Sequence, residues 1–279
     1  MSGKSDARPI GVFDSGIGGI TVLRELVKAF PNENFIYLGD TARLPYGSKS
    51  AATVRNYSVQ NMKYLISQNV KAIVVACNTA STQIFENEFE NCPVYNVIDP
   101  GAKLAAEKTK NNKVGVLATR AAVKAGSYPE KIKSLNPVIE VISQACPLFV
   151  PLAEEGWNED PITNLIAFRY LQNLKTADVD TVVLGCTHYP LLRVAIGRVF
   201  GNHVTLVDSG EAVALQIAED FDGQKILRHL PENQQTLKIS LTDQSEHFEA
   251  LSAALLQPVS KAEILFETVS VICVVSRRL

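Results

Sequence analysis

Short apolar runs rich in β-branched residues alternate along this chain with longer segments of helical periodicity, and this alternation constrains the fold most strongly. Eight runs are predicted to be strands, at residues 10–13, 35–38, 72–76, 94–97, 114–117, 138–142, 181–184 and 204–207. Several are apolar throughout, as strands covered on both faces must be. Strands that alternate with helices predict an α/β fold of parallel, doubly wound sheets with right-handed crossovers.

The composition is that of an ordinary folded protein and excludes several other classes. The chain has 279 residues, enough for about two domains of usual size. It is 46% hydrophobic and 20% charged, which excludes a disordered or fibrous chain. The formal net charge is −2 and the sequence has no long basic run, so nucleic-acid binding is not predicted.

Cysteine usage and the ends of the chain indicate a reduced, cytoplasmic protein. The five cysteines are odd in number, scattered and without C-x-x-C spacing, which argues against a disulfide framework and a structural zinc site. Residues 1–9 are charged and lack the apolar segment of a signal peptide. The apolar run 269–275 is too short to span a bilayer. We therefore expect a cytoplasmic protein without a membrane segment.

The loops that follow the predicted strands carry most of the reactive side chains. In parallel α/β sheets ligands bind beyond the carboxyl ends of the strands, so function is expected in these loops. The richest of them read DSGIGG at 14–19, GDTARLPYG at 39–47, CNTAS at 77–81 and GCTHYP at 185–190.

Two short internal echoes predict two related halves. VVACNT at 74–79 parallels VLGCTH at 183–188, and DSG at 14–16 parallels DSG at 208–210. These echoes predict two related α/β halves that face each other. The expected boundaries give a discontinuous first domain, 1–98 plus 209–279, and a second domain, 99–208.

The two cysteines in the echoed loops are the main chemical signal. Cys77 and Cys186 each follow a buried strand and precede a helix start, where the helix dipole is expected to lower a thiol pKa and favour the thiolate. One such cysteine would be read as a small buried side chain. Two in matching contexts suggest an acid and a base on opposite faces of one carbon, an arrangement that inverts a stereocentre.

Polar neighbours of the two thiols are candidates for tuning them and for holding a substrate. Asp14 and His188 are the natural partners in proton transfer, and Glu154 or the adjacent Glu155 follows from loop position alone. Hydroxyl, amide and helix-start N–H groups can bind a carboxylate, and helix capping uses the same geometry. The candidates are Ser15, Tyr46 through its hydroxyl, Gly47 through its N–H, Asn78, Thr79 and Thr187.

Other sites fit the sequence less well. The glycine run 16–19 has Thr21 where a dinucleotide-binding motif needs its third glycine, and an aspartate precedes it. A metal site on Cys186 and His188 lacks a third and fourth ligand, so no metal is predicted. The remaining cysteines, Cys92, Cys146 and Cys273, are most simply packing residues.

Taken in order, the motifs of the four loops resemble those of the bacterial glutamate racemases, with a likeness that extends over residues 9–222. The resemblance implies two pseudo-symmetric α/β domains that close over glutamate, with the active site in the cleft between them. It implies a cofactor-independent racemase that supplies D-glutamate for peptidoglycan synthesis and so affects cell shape. Many members are dimers and some bind a cell-wall precursor as activator. The tail at 257–279 matches nothing in the family pattern, and its run 271–275 could be a strand or a contact surface.

The resemblance also implies roles for individual residues. Cys77 and Cys186 would be the acid/base thiols, Cys77 acting on D-glutamate and Cys186 on L-glutamate. Auxiliary proton-transfer roles are implied for Asp14, His188 and Glu154. Because Glu155 is adjacent, the motif does not decide between the two glutamates. The implied substrate-binding residues are Asp14, Ser15, Pro45, Tyr46, Gly47, Asn78, Thr79, Thr187 and His188.

Competing functions remain at this point. The chemistry equally suits a racemase for another acidic amino acid such as aspartate, or a related two-cysteine isomerase or decarboxylase. A non-catalytic amino-acid-binding protein would have the same two lobes, although two thiols placed in this way argue against passive binding. For a pyridoxal-phosphate enzyme, no loop offers an evident Schiff-base lysine.

Overall fold

The structure, a computed structural model, describes residues 6–224 and 235–271. Its described strands are, in chain order, β1 (Ile10–Asp14), β2 (Phe35–Gly39), β3 (Ala72–Val75), β4 (Glu88–Phe89), β5 (Cys92–Asn96), β6 (Lys113–Ala118), β7 (Glu140–Ala145), β8 (Thr181–Gly185), β9 (Thr205–Asp208), β10 (Leu237–Leu241) and β11 (Ile264–Thr268).

The described helices alternate with these strands as the sequence pattern requires. They are α1 (Gly19–Ala29), α2 (Ala51–Ser67), α3 (Asn78–Ser81), α4 (Ile98–Lys108), α5 (Arg120–Ala125), α6 (Ser127–Leu135), α7 (Phe149–Glu154), α8 (Pro161–Thr176), α9 (Arg193–Phe200), α10 (Ser209–Gln224) and α11 (Glu246–Leu256). All eight predicted strands are confirmed, with bounds that shift by three residues or fewer. The two strands of the C-terminal region, β10 and β11, and the two-residue β4 were not predicted.

Two sheets organise the molecule. The larger has the order β11-β10-β2-β1-β3-β5-β4, and the smaller has the order β7-β6-β8-β9. Every strand pair among the described residues is parallel except β4 with β5. The predicted α/β class with parallel sheets is confirmed.

Each sheet is covered by helices on both faces, as its apolar strands require. On the larger sheet α1, α10 and α11 bury one face, and α2 with α3 buries the other. On the smaller sheet α7, α8 and α9 pack on one face, and α4 with α6 packs on the opposite face. In α1, the residues that the helical period places inward, among them Ile20, Leu23 and Val27, are all buried. Continuous burial explains why these strands read as unbroken apolar runs.

The chain passes between the sheets at α4 and returns at α10. These two helices pack against each other, and a salt bridge joins Lys103 Nζ to Glu219 Oε2 at 3.6 Å on their surface. The domain boundaries expected from the sequence, after residues 98 and 208, fall at the start of these connections. The boundaries themselves stay a prediction.

The strand orders show which internal echo reflects repeated architecture. The run β2-β1-β3-β5 corresponds to β7-β6-β8-β9, so β3 and β8, which precede the two echoed cysteines, are equivalent strands. The DSG echo behaves differently, because Asp14 ends the first strand of one sheet and Asp208 ends the last strand of the other. Its two aspartates share only a local turn, in which each carboxylate accepts the N–H of the glycine two residues on.

The C-terminal region contributes to the larger sheet. β11 pairs in parallel with β10, and Val271, the last described residue, is buried against the larger sheet. The rest of the apolar run 271–275, including Cys273, lies outside the described residues. Within residues 6–224 and 235–271, no helix combines the length and apolar character needed to cross a membrane.

Candidate active site

Two thiols lie at the centre of the site, one from each sheet. Cys77 stands at the start of α3 shortly after β3, and Cys186 directly follows β8, the equivalent strand. Both are almost fully buried, with 5% and 6% of their surface exposed. Both line one cavity of about 740 Å³ beyond the carboxyl ends of the strands. The structure thus brings the two predicted cysteines together in one place.

Most of the nominated substrate-binding residues line the same cavity. They are Ser15, Pro45, Tyr46, Gly47, Asn78, Thr79, Thr187 and His188. Two nominated residues do not line it. Asp14 is wholly buried and hydrogen-bonded to Cys77, and Glu154 lies against His188. Both therefore contact a residue on the cavity wall, and their roles toward a substrate stay predictions.

Cys77 lies in a polar environment with little access to water. Its Sγ is 3.8 Å from the Ser15 hydroxyl oxygen, and its thiol is hydrogen-bonded to the Asp14 carboxylate. That carboxylate also accepts the Gly16 N–H at 2.9 Å and the Thr187 hydroxyl at 3.4 Å. Burial raises the pKa of Cys77, and the nearby Asp14 charge raises it further. Burial raises the pKa of Asp14 as well.

The raised pKa corrects the expectation of a thiol acidified by a helix dipole. The helix that follows Cys77, α3, has only four residues, so few peptide dipoles align behind the sulfur. Desolvation penalises the charged form and outweighs them. Cys77 is therefore a thiol near neutral pH in this conformation, and the group available to take its proton is the Asp14 carboxylate.

Cys186 has a different set of partners. Its Sγ lies 3.8 Å from His188 Nδ1, and His188 Nε2 lies 3.1 Å from Glu154 Oε1. Burial opposes protonation of His188, but its hydrogen bonds to Cys186 and Glu154 prevail and raise the pKa of the imidazole to about 10. The ring is therefore an imidazolium near neutral pH, and it places a positive charge beside the sulfur. The neighbouring Glu155 is exposed, so the contact with His188 selects Glu154.

The glycine run at 16–19 serves close packing. A Cβ on Gly18 would lie 2.4 Å from Thr187 Oγ1 and 2.5 Å from His188 Nδ1, and a Cβ on Gly19 would lie 2.3 Å from Asp14 Cβ. The start of α1 therefore lies directly against the loop that carries Cys186. The Thr21 hydroxyl, which donates to the Thr187 carbonyl at 2.8 Å, fixes the same contact.

Tyr46 differs from the expectation in one respect. Its hydroxyl is hydrogen-bonded to the buried Asp40 carboxylate and accepts a hydrogen bond from Asn61 Nδ2 at 3.1 Å. Arg43 pairs with the same carboxylate at 2.8 Å. The hydroxyl is thus used inside the protein, and any substrate contact of Tyr46 is left to its backbone. Burial and the Asp40 charge raise its pKa well above the usual value.

We expect Tyr46→Phe to act mainly on stability. The substitution removes one hydrogen-bond donor from the buried Asp40 carboxylate and should lower the free energy of unfolding by about 1–3 kcal/mol in urea titrations. Tyr57→Phe is the matched control, because the ring contacts of Tyr57 with Tyr46 and Arg43 survive in phenylalanine. Equal stability of the two variants would contradict the assigned role of the hydroxyl.

Two polar residues that sequence analysis missed join the sheets at the site. Thr119, the N-cap of α5, lines the cavity, and its Oγ1 lies 3.1 Å from Thr79 Oγ1. The buried Tyr128 donates its hydroxyl to Asn78 Oδ1 at 2.7 Å. The sequence could have indicated Thr119, because this residue directly follows β6, the strand equivalent to β1. Tyr128 lies within a helix, and its position in the sequence gives no such indication.

The wall of the cavity is positively charged. Lys49, Arg120 and Lys124 line it, and none of the carboxylates in the described residues lies within 4 Å of their charged groups. No aspartate or glutamate of the described part of the chain lines the cavity. Within the described ranges, no group of three or more His, Cys, Asp or Glu side chains is arranged to hold a metal ion. The arrangement favours a small anionic ligand between two thiols.

Comparisons with known proteins agree with this geometry. The Asp/Glu/Hydantoin racemase family model matches residues 10–217. A glutamate racemase of Geobacter metallireducens is 50% identical over 223 residues, which cover 79% of this chain and 83% of that protein.

Solved structures show the same relationship. Glutamate racemase of Francisella tularensis in complex with D-glutamate matches with a TM-score of 0.86 and 36% identity, over 95% of this chain and 98% of that one. The Escherichia coli glutamate racemase in complex with L-glutamate and the activator UDP-MurNAc-ala matches with a TM-score of 0.75 and 29% identity, over 94% and 98% of the two chains. This chain belongs to the glutamate racemases of the Asp/Glu/hydantoin racemase family.

Proposed function

We propose that this protein interconverts L- and D-glutamate without a cofactor, with the Cys77 and Cys186 thiols on opposite faces of the α-carbon. The observation that carries the proposal is the pair of buried thiols in one cavity, each with its own proton-transfer partners. Cys77 has Asp14 and Ser15, and Cys186 has His188 with Glu154. The similarity to glutamate racemases, over 79% of this chain in sequence and 95% in structure, supports glutamate as the substrate.

In this mechanism one thiolate removes the α-proton and the opposite thiol delivers a different proton to the other face. The breaking C–H bond leaves its electron pair on the α-carbon, and the new C–H bond uses the same pair, so the centre inverts. Cys186 acts on L-glutamate and Cys77 on D-glutamate. After each turnover the two sulfurs have exchanged protonation states, and the second direction resets them.

The partners of each sulfur suit this exchange. The His188 imidazolium lies 3.8 Å from the Cys186 sulfur and places a positive charge beside the atom that takes up or delivers the α-proton. The raised pKa of Cys77 suits the proton donor, and Asp14 suits the acceptor when Cys77 must become the base. Burial of both sulfurs keeps water away from the weakly acidic α-proton. It also strengthens the electrostatic interactions between the sulfurs and their partners.

Binding of the substrate follows from donors on the cavity wall. The α-carboxylate is held by hydroxyl, amide and N–H groups of Ser15, Asn78, Thr79 and Thr187, and Tyr46 and Gly47 contribute through their backbone. Lys49, Arg120 and Lys124 attract a substrate of net negative charge. Glu154 acts through His188, since it does not reach the cavity wall.

Circular dichroism of L-glutamate with the purified protein and no added cofactor tests the proposal. Loss of the optical signal to zero establishes racemisation of glutamate. A change in the signal of aspartate but not of glutamate would show that aspartate is the substrate and would leave the two-thiol mechanism standing. A protein that binds glutamate without changing its signal would be a binding protein, and the proposal would fail.

The wider setting belongs to the same proposal. D-glutamate is a peptidoglycan precursor, so the reaction belongs in the cytoplasm, where such precursors are built. A cell-wall precursor of the kind present in the Escherichia coli complex would be an activator here too. Adding UDP-MurNAc-Ala to the dichroism assay tests the activation. Measuring the mass of the protein in solution tests whether this chain, like many of its family, forms a dimer.

Glu154→Gln is expected to change the pH profile through His188. The substitution removes a carboxylate that favours the imidazolium, so the pKa of His188 falls from about 10. Because the charged ring is present below that pKa and lost above it, the alkaline limb of kcat/KM should move to lower pH. We expect kcat to fall about 10-fold at pH 8. Glu155→Gln, an exposed neighbour, is the control, and an equal shift in both variants would contradict the contact.

A further inference from the structure

The turn between β10 and α11 contacts a loop that lines the active site. We call residues 242–247, which include the first two residues of α11, the β10–α11 turn. Thr242 Oγ1 accepts the Ala42 N–H at 3.0 Å and donates to Asp40 Oδ1 at 3.2 Å. The Asp243 N–H donates to Thr41 Oγ1 at 2.8 Å, and the Thr41 hydroxyl donates back to the Asp243 carbonyl. The turn is therefore fixed to the loop that leads to Tyr46 and Gly47.

The same turn reaches the partners of Cys186. His247, in the first turn of α11, has its Nε2 2.8 Å from the backbone carbonyl oxygen of Glu154. A carbonyl only accepts, so Nε2 carries the hydrogen. Glu154 in turn contacts His188 through its carboxylate, 3.1 Å from Nε2, and His188 contacts Cys186.

This contact joins the two halves of the molecule. α11 packs on the larger sheet, whereas α7, which ends at Glu154, packs on the smaller sheet. The last carbonyl groups of a helix have no partner within it and need one from outside. His247 supplies such a partner at the residue whose side chain must point at His188. The Glu154 side chain is itself one third exposed, so its position depends on such a support.

We propose that His247 is a positioning residue, which holds the end of α7 so that Glu154 stays within reach of His188 and thereby links the 40–47 loop to the Cys186 side of the reaction. This inference rests on the proposed function. His247 does not line the cavity and touches neither thiol. Among the described residues, the titratable groups that face His188 are Asp14, Glu154 and Cys186, and the hydrogen bond from His247 bears on Glu154 alone.

Three variants separate hydrogen-bond donation from bulk. His247→Phe keeps a ring but removes the donor, and His247→Gln keeps an N–H at a similar reach. His203→Phe is the matched control, an exposed histidine in the turn before β9. We expect His247→Phe to lower kcat about 3- to 10-fold with KM unchanged within about 2-fold, as loss of one positioning hydrogen bond would. His247→Gln should restore most of kcat, and His203→Phe should match the wild type.

A titration of the histidine side chains by ¹⁵N NMR gives a readout that does not depend on turnover. In the wild type the pKa of His188 should lie near 10, and in His247→Phe it should fall, because Glu154 is held less firmly. His247→Gln should return it toward the wild-type value. Signals of the four histidines are assigned from single substitutions.

The outcomes distinguish this inference from the proposed function. An active wild type with an unchanged His247→Phe variant, in both kcat and the His188 titration, overturns the inference and leaves the function standing. A His247→Gln variant as impaired as His247→Phe overturns it as well, because donation would then be irrelevant. A wild type without racemase activity overturns the proposed function, and the NMR titration still decides the role of His247.

Discussion

We expect Cys77→Ser and Cys186→Ser each to lower kcat/KM for racemisation by about 10³-fold or more, in both directions. A serine hydroxyl is a far weaker acid than a thiol, so its anion is barely populated in a buried site. Racemisation needs a base on one face and an acid on the other, and one remaining thiol cannot serve both. The measurement is the loss of circular dichroism from L-glutamate and from D-glutamate.

Two controls separate this loss from damage to the fold. Cys92→Ser changes a buried cysteine that contacts the Val70 carbonyl, away from the cavity, and should keep activity within about 2-fold. Each active-site variant should still eliminate the leaving group from one enantiomer of a glutamate analogue substituted at Cβ, because elimination needs one base. Racemisation at the wild-type rate by either single serine variant would rule out the two-thiol mechanism.

Gly18→Ala is expected to lower kcat/KM about 100-fold, the second largest effect. The added Cβ would lie 2.4 Å from Thr187 Oγ1 and within 2.6 Å of two His188 ring atoms, so the start of α1 or the Cys186 loop must shift. The displacement separates His188 from both Cys186 and Glu154, and misplacement by about 1 Å can cost a catalytic group this much. Steady-state kinetics, with the ¹⁵N titration of His188, report both consequences.

Gly197→Ala is the matched control for this substitution. It lies within α9, and a Cβ there would meet no atom within 4 Å. Alanine favours a helix interior over glycine, so this variant should be more stable by about 0.5–1 kcal/mol with unchanged activity. If Gly18→Ala retained full activity, the close approach of α1 to the Cys186 loop would have no catalytic importance.

Much of the fold followed from the sequence because its strands are buried on both faces. Unbroken apolar runs such as β3 and β8 are hard to misread when helices separate them. β11 was missed because it is an edge strand of the larger sheet and is partly exposed, so its apolar pattern is weaker. β10 is mostly buried, but Lys238 and Ser240 interrupt its apolar residues, so it does not read as a continuous run. The equivalence of β3 and β8 also explains why the cysteine echo was informative.

The site was predictable wherever a reactive residue lies within one or two residues of the end of a strand. Cys77, Cys186 and their polar neighbours were found in this way, whereas the direction of the Tyr46 hydroxyl depends on Asp40 and Asn61 and cannot be read locally. The raised pKa of Cys77 depends on burial and Asp14, which outweigh a one-turn helix. His247 acts through a backbone carbonyl far away in sequence, and such a contact leaves no motif.

Racemisation of L-glutamate in D₂O, followed at early times, tests the two-base mechanism most directly. With one thiol on each face, the proton removed by Cys186 differs from the one delivered by Cys77. The D-glutamate formed should therefore carry deuterium at the α-carbon, while the remaining L-glutamate stays protonated. Deuterium that enters both enantiomers at equal rates, or D-glutamate that keeps its original proton, would show that a single group acts on both faces and would contradict the mechanism.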